Sequence, residues 1–164
     1  MIVTKALYNL GTTPTEKSID LVSIAWYQVS KRLQRLQTAS GVEIAIRFLG
    51  KGQRLLHGDV LFEDNNSCVV VNVLPCEVIE LATNNPLLMA EAAFEIGNKH
   101  LPLFWGNGKL VVPYEKGVMD WLEKSDFEPS LGIQRLTEPF EANVNPDDYK
   151  TTYSLNTPLK LIVK

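Results

Sequence analysis

The feature that most limits what this chain can fold into is a change of hydrophobic period at Pro75. Before it, apolar residues come in short runs separated by turn signals. After it, runs of strand and helix length alternate. "CEVIELA" has the length and β-branched content of a strand. Asn85 followed by Pro86 marks a helix start: the amide oxygen can accept the first free N–H groups, and proline gives up an N–H that would be unpaired anyway. Along the helix "PLLMAEAAFEI" the period directs Leu87, Ala90, Ala93, Phe94 and Ile96 toward a core, and Gly97 stands where a left-handed residue would end it. "LPLFW" and "KLVVP" flank "GNG", a hairpin signal. "YEKGVMDWLEKSDF" predicts a second amphipathic helix with Val118, Trp121 and Leu122 on one face, and "LGIQRLTEPF" a last strand. The order is β-α-β-β-α-β, the ferredoxin-like arrangement of two helices on one face of a four-stranded sheet.

The first half reads as β. "VEIAIRFL", "DVLFED" and "SCVVVNVL" are separated by "GKG", "HGD" and "EDNNS", which predicts a small sandwich or barrel. "WYQVSKRLQRLQTASG" suits either a helix or the first arm of a hairpin, and the hairpin is preferred because a strand follows directly across "ASG". The expected class is α+β, a small N-terminal β domain followed by the ferredoxin-like domain. The expected divisions are residues 1–74 for a protein-interaction domain, 75–138 for the second domain and 139–164 for a polar tail. The tail ends in "LKLIVK", which could add a strand to an exposed sheet edge.

Composition excludes several classes. An apolar content of 45% is that of an ordinary globular chain, so disorder throughout is not expected. No apolar run approaches the ~18 residues of a membrane span, and "MIVTKALYNL" has no signal-peptide core, so the expectation is a soluble, cytoplasmic protein. Cys68 and Cys76 are too few for a disulfide framework and too far apart for a CxxC pair. The net charge of −3 hides a division of sign: Lys31 to Arg54 holds six bases and one acid, while Glu115 to Asp148 holds nine acids and three bases. The basic run is a candidate surface for an acidic protein partner. Nucleic acid is not expected, because it would call for a more basic chain with aromatic residues among the charges.

Enzyme motifs are absent: there is no GxSxG elbow, and "LGKGQR" lacks P-loop spacing. Two histidines remain. His57, in "LLHGDVL", is expected to be a surface turn residue. His100 follows a helix C-terminus, where unpaired carbonyls favour a cation, and precedes an apolar strand, so its imidazole projects from a rigid junction. One imidazole cannot by itself satisfy a metal ion.

"NNPLLMAEAAFEIGNKHLPLFW", followed by "KLVVPYEKGVMDWLEK", resembles the metal-binding domain of the UreE family, the urease accessory metallochaperones. The distinctive positions are Gly97, Asn98, Lys99, His100 and Pro102. Upstream, "RLQTASGVEIAI" and "GQRLLHGDVL" resemble the first domain of that family. The resemblance implies a homodimer in which His100 from each chain meets at a two-fold axis and supplies two imidazoles to one Ni(II). Zn(II) and Cu(II) also suit imidazole. It further implies delivery of nickel to urease together with the urease accessory GTPase and the apo-urease complex. Many relatives carry further histidines or a histidine-rich tail, whereas none follows His100 here, which argues against storage of many ions. Asp147 and Asp148 are the candidate oxygen donors of the tail. Two other readings use the same residues. One is a metal-independent adaptor of the urease maturation complex, and the other a hydrolase with His100 as general base, which lacks a neighbouring nucleophile in sequence.

Overall fold

The computed structural model describes residues 1–11, 13–50 and 53–140. The tail positions Asp147, Asp148 and "LKLIVK", and Lys51 of the basic run, lie outside the described residues.

The N-terminal half is a two-sheet sandwich. One sheet has the order β1-β5-β4, formed by Ile2–Val3, Glu43–Arg47 and Leu33–Gln37. The other has the order β2-β6-β7-β3, formed by Tyr8–Asn9, Asp59–Glu63, Ser67–Val73 and Ser18–Ile24. The ambiguous stretch resolves as expected into a hairpin arm: after a single helical turn at Trp26–Gln28, β4 pairs antiparallel with β5. Alternation explains the layering. Ile44 and Ile46 of β5 are buried while Glu43 and Arg47 face out, and Val22 and Ile24 of β3 close the core from the second sheet. The sequence reading left residues 1–24 unassigned. Asp20 and Ser23 interrupt the apolar signal of β3, whose parallel pairing with β7 over Ile19↔Cys68 to Ile24↔Val73 is a non-local fact.

The C-terminal half follows the expected ferredoxin-like order. The strands β8 (Cys76–Leu81), β9 (Phe104–Gly106), β10 (Lys109–Pro113) and β11 (Pro129–Gln134) form the sheet β11-β8-β10-β9, antiparallel throughout. The helices α1 (Pro86–Asn98) and α2 (Lys116–Leu122) cover one face, burying Ala92, Ile96, Val118 and Leu122 against Ile79, Leu81, Leu110 and Val112. The β9–β10 turn has positive φ at both Asn107 and Gly108, the twist a two-residue hairpin needs.

The expected face of α1 is corrected. Ala93 and Ile96 meet the core as expected, but Leu87, Ala90 and Phe94 point outward, and Met89 and Ala92 take their place against the sheet. The helix is apolar on two sides, and a 3.6-residue period cannot choose between two apolar stripes.

The other face of this sheet packs against the N-terminal half. Val78, Phe104, Val111 and Leu136 form a cluster joined by Trp26, whose ring meets Phe104 edge-on at 5.7 Å. At the junction the Val73 N–H donates to Nδ1 of His57 (3.2 Å), and Nε of Arg135 donates to the Val73 carbonyl (2.6 Å). Among the described residues no helix is long and apolar enough to cross a membrane.

Candidate functional site

α1 is held at both ends, and its C-terminal end presents His100. At the start, Oδ1 of Asn85 accepts the N–H groups of Leu87 (3.0 Å) and Leu88 (3.4 Å), as expected of an N-cap. At the other end the helix runs to Asn98, and Lys99 is its last half-helical residue. The His100 N–H donates to the Gly97 carbonyl (2.9 Å) and the Leu101 N–H to the Ile96 carbonyl (3.3 Å). This crossed pair is a Schellman ending, and Leu101 joins the core that holds Ile96, the apolar contact that accompanies it.

The residue such an ending places in the left-handed region is His100, with φ 55°, and not Gly97, which is helical. The expectation for Gly97 is therefore corrected by one turn. The helix ends where Leu101 finds the core, and nothing local in "GNKH" reveals that. A histidine in this conformation is strained by roughly 1 kcal/mol or more relative to glycine, the usual occupant. Its side chain is exposed, while the residues after it are pinned: Leu101 and Leu103 pack into the core, and the Leu103 carbonyl accepts the Phe140 N–H (2.7 Å). The Lys99 ammonium lies 4.5 Å from the centre of the Trp121 ring, tying the last turn of α1 to α2. The imidazole is thus offered to solvent from a fixed backbone.

Among the described residues no three His, Cys, Asp or Glu side chains come together as a metal site. An ion at His100 would take its remaining ligands from water, from another chain or from residues beyond those described. His57 is exposed in a turn, as expected, but it also braces the fold, because its Nδ1 accepts the Val73 N–H. Its pKa is lowered, by burial first and by the charge of Arg135 second. Cys68 is buried, and burial raises the thiol pKa of Cys76, which makes Cys76 unlike an activated thiolate.

Beside His100, α1 carries the outward stripe Leu87, Ala90, Phe94 and Gly97 on the side opposite its core residues. Leu87 is 66% and Phe94 67% exposed. A Cβ added at Gly97 would meet nothing within 4 Å, so space within this chain does not demand glycine there. Sequence reasoning missed this stripe because it assigned Leu87, Ala90 and Phe94 to the core and Gly97 to the helix end.

Residues 3–74 match the family described as UreE urease accessory protein, N-terminal domain, and residues 76–154 match its C-terminal domain. The chain belongs to the UreE family. It is 35% identical over 150 residues to the urease accessory protein UreE of Flavobacterium johnsoniae, covering 92% of this chain and 91% of that one. It is 39% identical over 129 residues to that of Actinobacillus pleuropneumoniae, covering 79% and 69%. With the protein of the same description from Helicobacter pylori the identity is 33% over 138 residues, covering 82% and 78%. The family is defined by an accessory role toward urease and not by catalysis of its own.

Proposed function

We propose that this protein is a urease accessory metallochaperone that binds Ni(II) through His100 shared across a homodimer interface and donates it to the nascent urease centre. The observation that carries this reading is a histidine held left-handed and exposed at a position where glycine would be more stable. Strain that the fold does not require is understandable where the side chain serves a function. The outward stripe of α1 supports the dimer. A helix apolar on both sides is half-covered in one chain, and a second copy across a two-fold axis would cover Leu87 and Phe94 and bring the two His100 residues together. Gly97, with open space around it, would allow the close approach.

Two imidazoles leave coordination positions open. That suits a carrier, since the acceptor's ligands can bind before the donor's have left. In this reading the partners are the urease accessory GTPase and the apo-urease complex, and the compartment is the cytoplasm. Residues 1–74 serve protein contacts, 75–138 hold the metal and the dimer, and 139–164 form a tail. Zn(II) and Cu(II) would compete at the same donors.

Calorimetric titration of the metal-free protein with Ni(II), with light scattering in the same buffer, tests this. One ion per two chains is expected. His100→Ala should abolish that binding while the dimer persists. His100→Gly should also lose the ion while raising stability by up to about 1 kcal/mol, because it removes the left-handed strain. Equal nickel binding by wild type and both variants would sink the proposal, and partner binding by a wild type that takes up no Ni(II) would favour the adaptor reading.

A further inference from the structure

The outward face of the sheet β1-β5-β4 has a composition that neither its fold nor His100 accounts for. In register, Arg35 lies beside Ala45 and Ala45 beside Ile2, while Leu33 lies beside Arg47. All five side chains point away from the sandwich core, since the alternate residues Val3, Ile44, Ile46 and Leu36 pack into it. Leu33 is 71% and Ile2 62% exposed. The small central residue, Ala45, leaves a shallow depression of about 580 Å³ between the larger side chains. Arg35 and Arg47 are exposed and make no ion pair with another described residue. The structure also sorts the basic run. Lys31 stacks over Tyr27, Arg32 precedes β4, and Arg54 lines a cavity with Trp26 and Phe104, so among the described bases of the run Arg35 and Arg47 are the two that lie within the strands of this sheet and share its face.

We infer that this face docks the protein onto the apo-urease maturation complex, through an acidic surface of that complex carrying one protruding apolar side chain. The identity of the partner rests on the proposed function; its chemistry rests on the face. Two guanidinium groups with free donor forks match carboxylates in bidentate geometry. The depression over Ala45, walled by Ile2 and Leu33, accepts an apolar knob and removes water around it, which strengthens the flanking ion pairs. A phosphate backbone fits less well, because the face offers no aromatic ring for stacking and includes the carboxylate of Glu43. The site is on the N-terminal sandwich, so it can hold the partner without occupying His100.

The test is retention of the full-length protein by immobilised apo-urease assembled with its accessory GTPase, measured at low and high salt after nuclease treatment. The variants are Arg35→Glu, Arg47→Glu, their combination and Leu33→Ser, with Lys124→Glu as a control whose charge change equals that of each single arginine variant and Lys124→Glu combined with Lys116→Glu as the control for the double. Circular dichroism and Ni(II) stoichiometry report folding. The double variant should bind roughly tenfold or more weakly and lose most of its salt dependence. Leu33→Ser should weaken binding at both salt levels, and neither lysine control should. Wild-type binding shared undiminished by the double variant overturns this inference and leaves the proposed function standing, while no retention of the wild type removes both. An equal loss in the matching lysine control, dependence on nucleic acid, or wild-type self-association that the double variant abolishes would also overturn it, the last assigning the face to a second copy.

Discussion

At the level of single residues, the two histidines show how one side-chain type takes opposite roles from its backbone context. His100 is exposed at a left-handed position whose geometry favours glycine. His57 is tied in, accepting the Val73 N–H beside Arg135. Burial and the neighbouring guanidinium lower its pKa, so the folded state holds this proton less firmly than the unfolded chain does. Its contribution to stability is therefore complete above the ordinary imidazole range near ~6.5 and is lost as pH falls from there toward the lowered value. The carboxylates with lowered pKa values act in a different window. Glu80, held down by Lys109 and then Gln134, and Glu63, held down by Lys17 and then Tyr8, lose their contribution only below the ordinary carboxylate range near ~4.3. Denaturant titrations between pH 7 and 5 should show wild-type stability falling. In His57→Asn, whose amide oxygen can still accept the Val73 N–H, the slope should flatten, and an unchanged slope would remove His57 from this account.

Among the secondary-structure elements, α1 carries the most information. Its start was legible, because Asn85 and Pro86 act on N–H groups only two or three residues away. Its inner face was not, because both stripes are apolar and the period alone does not say which one meets the sheet. Its end was not legible either, because the left-handed residue is set by where Leu101 reaches the core. The outward stripe makes a direct prediction. Phe94→Ser removes an apolar side chain that is 67% exposed in a single chain, so the isolated chain should lose less than about 0.5 kcal/mol. If the stripe is the dimer surface, the same change should weaken dimerisation by tenfold or more, seen by sedimentation at low concentration, and Ni(II) binding should fall with it. A dimer of unaltered strength would place the interface elsewhere.

Across the molecule as a whole, the two halves share a contact built around Trp26. Its indole reaches from the sandwich to Phe104, Val78 and Leu136 on the open face of the ferredoxin-like sheet, while Arg135 and His57 hold Val73 from opposite sides of the linker. This arrangement places His100 and the arginine-bearing sheet on different halves of one chain. Trp26 is only partly buried, so Trp26→Ala should cost about 2 kcal/mol, below the range for a fully buried tryptophan. It should also separate the thermal unfolding of the halves into two steps, read by calorimetry, while leaving Ni(II) binding at His100 unchanged. A single transition would mean that the Val73 clamp alone couples them.

The features legible from the order of residues were local in origin. Short β-branched and apolar runs between turn signals marked β5, β6 and β7, the Asn85–Pro86 pair began α1, Asn107–Gly108 closed the hairpin, and the order of elements after Pro75 yielded the ferredoxin-like arrangement. Each depends on residues within a few positions, where backbone sterics and hydrogen bonding act directly. His100 could be singled out by composition and motif for the same reason. Other features came into view only with the folded chain, because they depend on residues far apart in it. Ile2 pairs with Ala45 and Arg35 faces the same side, so a basic run along the sequence becomes a pair of arginines on one compact face, with Lys31, Arg32 and Arg54 placed off its strands. The inner side of α1 and the left-handed His100 follow from where the sheet and Leu101 lie. Local periodicity can show that a surface is apolar, but only long-range packing decides which surface is left uncovered.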